Sequence, residues 1–284
     1  MISALLGLAS ALGLGVADFM ARFSARALGA PLTYGAVLLI GALGATVLVL
    51  AVDVPLVWSP VGCAIAIVHG MSVAVMCILL YMALARGPIA VVAPIVAAHP
   101  ALVLIVNVLR GTRPSAVQWA AMFIIILGGI LITRTAVADE SAADAEGDQT
   151  TLIIAFGACL AYAFLILTGQ AAAPLIGEIE TMWIGRWSGL IVIAAVLLLQ
   201  RRPLSFPAKW IPYVGIQGIL DAAGYLALLA GGVTAAPYIT MVVASGFSVV
   251  TVLLARLIIR EPVSSTQWAA IGMIAGGAAI LSGT

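Results

Sequence analysis

The chain has 284 residues, 64% hydrophobic and 8% charged, with a mean hydropathy of +1.25. A soluble domain of this length cannot hide that much apolar surface, so lipid is the expected solvent for most of it. The net charge of +1 gives no electrostatic basis for nucleic-acid binding, and three cysteines (Cys63, Cys77, Cys159) without a Cys-x-x-Cys argue against a disulfide framework or zinc site.

The apolar runs are long and continuous rather than alternating, which selects helices over a membrane barrel. Ten spans are expected, at 2–21, 32–51, 61–84, 89–109, 116–134, 151–170, 182–200, 211–230, 237–258 and 267–283. Each is close to the ~20 residues needed to cross a bilayer core. The first lacks a basic n-region and an obvious cleavage site, so it reads as a retained helix. The joints are short and carry breakers such as Gly29–Pro31, Gly87-Pro88 and Glu261-Pro262. One joint, 135–150, is long and holds five of the eleven acids. It divides the chain into 1–134 and 151–284, five spans each, and two adjacent units with an odd number of spans lie in opposite orientations. Nine of the twelve basic residues fall beside loops 1–2, 3–4, 5–6, 7–8 and 9–10, and the positive-inside rule then puts those loops in the cytoplasm and both termini outside.

Polar groups inside these spans are the candidate site. In span 1, Asp18 is a candidate proton carrier, while Arg22 at i+4 offers an ordinary ion pair. Span 3 presents His69 and Tyr81 on one stripe; His69 is either a cavity residue or an interhelical hydrogen-bonder. In span 4, Pro94 and the His99-Pro100 pair interrupt the backbone at mid-depth, and such gating kinks are tolerated where a helix lines a cavity. Arg186 lies between Trp183 and Trp187, so snorkelling or pairing with Glu178 or Glu180 is expected ahead of an inward role. Span 8 repeats Tyr213, Gln217, Asp221 and Tyr225 every fourth residue, one slowly drifting helical stripe. Asp221 sits near mid-membrane and is either a wet cavity carboxylate or a structural hydrogen-bonder. Span 9 opens at Pro237 and carries Tyr238, Met241, Ser245 and Ser248, with close packing as the alternative use of its serines.

Two stretches read almost alike. Tyr81-Met82-Ala83-Leu84 leads to Arg113-Pro114 and Gln118-Trp119-Ala120-Ala121. Tyr225-Leu226-Ala227-Leu228 leads to Glu261-Pro262 and Gln267-Trp268-Ala269-Ala270. Both copies end in a Gly-rich helix, Gly128-Gly129 and Gly276-Gly277. An internal repeat in an apolar chain is a mark of secondary carriers.

With Ala83-Leu84-x-x-Gly87-Pro88 and Pro100, this repeat resembles the EamA-type members of the drug/metabolite transporter superfamily, as does Gly15-Val16-Ala17-Asp18-Phe19 in span 1. The resemblance implies an all-α membrane protein of ten helices in two inverted five-helix repeats around a central cavity. It also implies transport, often export, of amino acids and other small metabolites, and both termini in the cytoplasm, opposite to the charge count. Arg113 departs from the Glu usual in the family, and Ser248 from a frequent Pro.

No Walker motif supports an ATP-driven pump, and no His-Glu-x-x-His supports a metalloprotease. The reading is a secondary-active transporter, not an enzyme, needing no cofactor. It carries a small metabolite such as an amino acid, sits as a multi-pass protein in a plasma or bacterial inner membrane, and is a monomer or weak homodimer. Tyr81, Tyr162, Tyr225, Tyr238 and Met241 are expected to supply an amphipathic pocket. Gln217, Asp221, His69, His99 and Ser245 are its candidate polar contacts, and Asp18 and Asp221 the candidates for proton coupling. The competing readings are an intramembrane Ser/His hydrolase and a non-transporting receptor or lipid-handling protein.

Overall fold

The computed structural model describes residues 2–51, 57–111, 113–138, 145–200, 205–232 and 237–283; within these, the side chains of 133, 135–138, 145–148, 229, 232, 237, 238 and 282 are outside the described set. The regular elements among the described residues are all helices: α1 (Ile2–Leu28), α2 (Ala30–Ala51), α3 (Pro60–Arg86), α4 (Ile89–Ala97), α5 (His99–Leu109), α6 (Ala116–Ala138), α7 (Ala145–Ile176), α8 (Glu178–Gln200), α9 (Ile211–Gly232), α10 (Pro237–Ala244), α11 (Phe247–Ile258) and α12 (Ser265–Gly283), with one 3-10 turn at Ala208–Trp210. Eight helical segments are long and apolar enough to cross a membrane, with α4–α5 and α10–α11 each counting as one. Ala116–Ile132 and Ser265–Leu281 are shorter apolar helices. The protein is an all-α, multi-pass membrane protein. Of the acidic joint, residues 139–144 lie outside the described residues.

Several helices run past their expected ends. α1 continues to Leu28, which moves Asp18 well inside the span, and α8 begins at Glu178, which carries Arg186 two turns into the helix. The start of α6 explains one repeated motif. Ser115 and Gln118 form a capping box, the Ser115 N–H donating to Gln118 Oε1 (2.9 Å) and the Gln118 N–H to Ser115 Oγ (3.3 Å). Ser264 and Gln267 repeat it at the start of α12, at 2.8 and 3.2 Å.

The two capped helices pack on each other through equivalent positions. A Cβ on Gly128 would meet Ile274 Cγ1 at 2.9 Å and Ala270 O at 3.0 Å; one on Gly277 would meet Ile125 Cγ1 at 2.6 Å and Ala121 O at 2.9 Å. Counted from the Gln-Trp pairs, Ala121, Ile125 and Gly128 correspond to Ala270, Ile274 and Gly277. The contact is therefore reciprocal, as at a two-fold axis. Away from this pair, α1 packs on α9, α10 and α11, and α7 packs on α3, α4 and α5, while α2 and α8 touch each other.

Spans 4 and 9 are both broken near the middle. The first break falls at Ala98, one residue earlier than the His99-Pro100 pair suggests, and Pro100 sits in the first turn of α5, where its missing N–H is harmless. Val96 O, the acceptor Pro100 cannot reach, is met by His99 Nδ1 at 3.1 Å. Pro94 lies within α4 without ending it. The second break falls at Ser245-Gly246, where Ser245 Oγ donates to Val242 O (2.7 Å).

Candidate functional site

The stripe on α9 faces the bundle interior and meets a different helix at each level. Nearest one end, the Tyr213 hydroxyl donates to Met20 O on α1 (3.2 Å). One turn on, Gln217 is fully buried: its Nε2 donates to the Tyr81 hydroxyl on α3 (2.9 Å) and its Oε1 accepts from Ser24 Oγ on α1 (2.8 Å). Tyr81 stacks edge-on against Tyr34 of α2, centroids 5.4 Å apart. Gln217 thereby ties α9, α3 and α1 together with its buried amide satisfied on both sides.

At the next turn Asp221 meets Arg186. The Nη1–Oδ2 distance is 2.8 Å, and the guanidinium lies 5.4 Å from the ring centroid of Tyr225, one turn further along α9. This corrects the expectation that Arg186 snorkels or pairs with Glu178 or Glu180. The longer α8 aims it inward, and Gly41 of α2 leaves the space it fills, since a Cβ there would collide with Arg186 Nη1. An acid at mid-membrane costs about 2.5–3.5 kcal/mol on insertion scales, and a facing cation offsets that cost. Trp183 and Trp187 instead both donate to Thr46 Oγ1 of α2, each at 3.0 Å.

Asp18 faces the same region from α1 and lies within electrostatic reach of Asp221. The expected pair with Arg22 is absent. Arg22 Nη1 donates to Gly87 O at 2.6 Å and lies 3.5 Å from Glu261 Oε2. Among the described residues, no hydrogen bond or ion pair engages Asp18. Arg22 belongs to an end lock that sequence reasoning missed. Glu261 Oε1 accepts from the Ala90 N–H at the start of α4 (2.8 Å), and Arg26 donates to Ala85 O. Arg260 takes a left-handed conformation (φ 55°), which turns Glu261 back over the bundle. The signal was in the repeat, where Glu261-Pro262 stands opposite Arg113-Pro114; Arg113 is exposed.

The histidines bridge helices. His69 Nδ1 meets Leu165 O of α7 (2.9 Å), with its ring beside Gly169 and Gly185. His99 stacks flat on Tyr162 of α7, centroids 3.8 Å and planes 6° apart, and Tyr162 leans on Phe247, the first residue of α11, at 6.5 Å. The two helix breaks thus meet through Tyr162. The recorded bonds of both histidines and of Ser245 go to backbone carbonyls, so they form no Ser–His pair. Ser248 is buried, whereas Met241 is half exposed and contributes nothing to the central cluster. The side chains of Pro237 and Tyr238 lie outside the described residues.

An all-helical membrane bundle with paired opposite charges at its centre and two interrupted helices beside them has the general form of a solute carrier. Residues 149–283 match the model of the EamA-like transporter family, so this part of the chain is similar to that family. No curated protein matches the sequence. A solved crystal structure shares the fold, with a TM-score of 0.66 over 98% of this chain and 96% of the other at 19% identity. The matched family is one of membrane transporters.

Proposed function

We propose that the protein is a secondary-active exporter of an amino acid or similar amphipathic metabolite, working by alternating access around the centre of the bundle. The observation that carries this reading is the Arg186–Asp221 pair, formed between α8 and α9 of the second half and packed against Gly41 of the first. Tyr81, Tyr225 and Tyr162 border the polar centre with apolar ring faces, Gln217 and His99 adjoin it, and His69 and Ser245 serve the helix contacts around it.

The halves, 1–134 and 151–284 joined by 135–150, act as inverted repeats. Support comes from the reciprocal α6–α12 contact and from the partner lists of α1 and α7, which mirror each other. It comes also from the equivalent breaks in spans 4 and 9. α4–α5 and α10–α11 move about these breaks, with Pro94 and Pro100 shaping the first and Pro237 opening α10, while α6 and α12 remain as scaffold. The Arg22–Glu261 lock ties α1, the start of α4 and the end of α11 at one face, and opening that face requires its release. Asp18, a carboxylate with no ion-pair partner among the described residues, is the proton-coupling group, and Asp221 belongs to solute binding.

Reconstitution tests the reading. Proteoliposomes preloaded with an amino-acid panel should show counterflow of at least one labelled member, and an imposed pH gradient should drive its accumulation. Absence of counterflow for every member at both pH gradients would refute it.

A further inference from the structure

We propose that the Arg186–Asp221 pair is a selectivity element for zwitterions. The solute carboxylate takes the place of Asp221 on Arg186, and the solute ammonium takes the place of Arg186 on Asp221. The proposal rests on the carrier reading above and specifies what is carried.

The contact is monodentate, although a guanidinium and a carboxylate can share two parallel hydrogen bonds. Among the described residues, Arg186 uses only Nη1 and Asp221 only Oδ2. The remaining donors and Oδ1 are not sealed: Arg186 retains 11% and Asp221 20% of side-chain surface, in contrast to fully buried Gln217 one turn away. Both partners of the pair therefore have capacity for a second ligand.

The position of the cation is fixed by shape. Gly41 on one side and the Tyr225 ring on the other hold the guanidinium in a slot, so it can exchange partners without relocating. Electrostatics then dictate the class of solute. A lone amine entering here must displace Arg186 from Asp221 and leave the guanidinium unpaired; a lone carboxylate leaves Asp221 unpaired. An unpaired charge in this low-dielectric setting is strongly disfavoured. A zwitterion replaces both members at once and leaves no charge without a partner. In the absence of solute the two side chains neutralise each other, which lets the empty carrier close.

The test uses matched probes: L-leucine, its amine 3-methylbutylamine and its acid 4-methylpentanoate, with the phenylalanine series (L-phenylalanine, phenethylamine, 3-phenylpropanoate) run in parallel. Counterflow is measured in proteoliposomes for the wild type, Arg186→Gln, Asp221→Asn and the double variant, each first checked for a monodisperse profile in detergent. The wild type should carry at least one of the two zwitterions at tenfold or more the rate of its amine and its acid. Arg186→Gln should lose the zwitterion and gain the amine, and Asp221→Asn should lose the zwitterion and gain the acid. The double variant keeps a neutral hydrogen-bonding pair, controls for folding and should carry none of the three. Equal transport of amine or acid by the wild type, or undiminished zwitterion transport by the double variant, would overturn the proposal and leave the carrier reading intact. Failure of every probe with the wild type, together with absence of counterflow across the whole amino-acid panel, would remove both.

Discussion

At the residue scale, the central cluster depends on small residues as much as on charged ones. Gly41 and Gly44 lie on the same helix, but a Cβ at Gly41 meets the end of Arg186 whereas one at Gly44 meets nothing within 4 Å. The obstructed atoms are the end of the Arg186 side chain, so Gly41→Ala should push Arg186 off Asp221. Transport should fall at least tenfold and the melting temperature should drop, because separating the pair leaves both charges uncompensated, and Gly44→Ala should change neither. Two carboxylates should separate in the same assays. Asp18→Asn should keep counterflow and lose accumulation driven by a pH gradient, since Asp18 has no recorded partner to hold in place. Asp221→Asn should lose zwitterion counterflow itself. The inward stripe of α9 was legible because a four-residue spacing is a local property of a helix. The partner of Asp221 was not, because it depends on where α8 begins and on the gap at Gly41. The i+4 rule that suggested Asp18–Arg22 is worth only a few tenths of a kcal/mol, and the Glu261 carboxylate and the Gly87 carbonyl outcompete it.

At the element scale, the repeated Gln-Trp motif has a concrete task. Ser115–Gln118 and Ser264–Gln267 satisfy backbone N–H groups at the starts of the two scaffold helices. Ser115→Ala and Ser264→Ala should each lower stability by about 1 kcal/mol without altering which solute is carried, as read by thermal unfolding in detergent and by counterflow. The Ser-x-x-Gln pattern is a sequence-level signal of a helix start, so these caps were readable in principle. The broken helices were half legible. Pro100 announced the first break, and the His99 ring compensates the carbonyl that the proline leaves bare. The second break has no proline and falls at Ser245-Gly246, where sequence alone suggests only close packing. Glu261 links elements remote in sequence. Glu261→Gln keeps an acceptor for the Ala90 N–H and loses the attraction to Arg22, whereas Glu261→Ala loses both. The alanine variant should be less stable than the glutamine variant by about 1–3 kcal/mol in thermal unfolding, the cost of leaving the buried Ala90 N–H without an acceptor.

At the scale of the whole molecule, composition dictated a membrane protein, and the long continuous apolar runs chose helices over a closed barrel, the two forms that satisfy backbone hydrogen bonds in lipid. The duplication was visible as near-identical words, and the mirrored packing of α6 against α12 is its three-dimensional counterpart. What sequence could not supply was closure. A central cavity was expected, yet Arg186 engages Asp221, Gln217 engages Tyr81, and Glu261 lies between Arg22 and the Ala90 N–H at one end. Glutamate at 261 joins one end together, whereas arginine at the corresponding position of the repeated motif, 113, is exposed.

The central claim, that the interrupted helices move about this centre while α6 and α12 stay fixed, is tested by paired disulfide traps in proteoliposomes. With Cys63, Cys77 and Cys159 replaced by alanine, Ala90→Cys with Glu261→Cys ties the start of α4 to the end of α11, and Ile125→Cys with Gly277→Cys ties α6 to α12. Oxidation of the first pair should stop amino-acid counterflow and reduction should restore it, while oxidation of the second should leave counterflow at its reduced rate. Full counterflow through the oxidised first pair, or arrest by the second alone, would contradict the account.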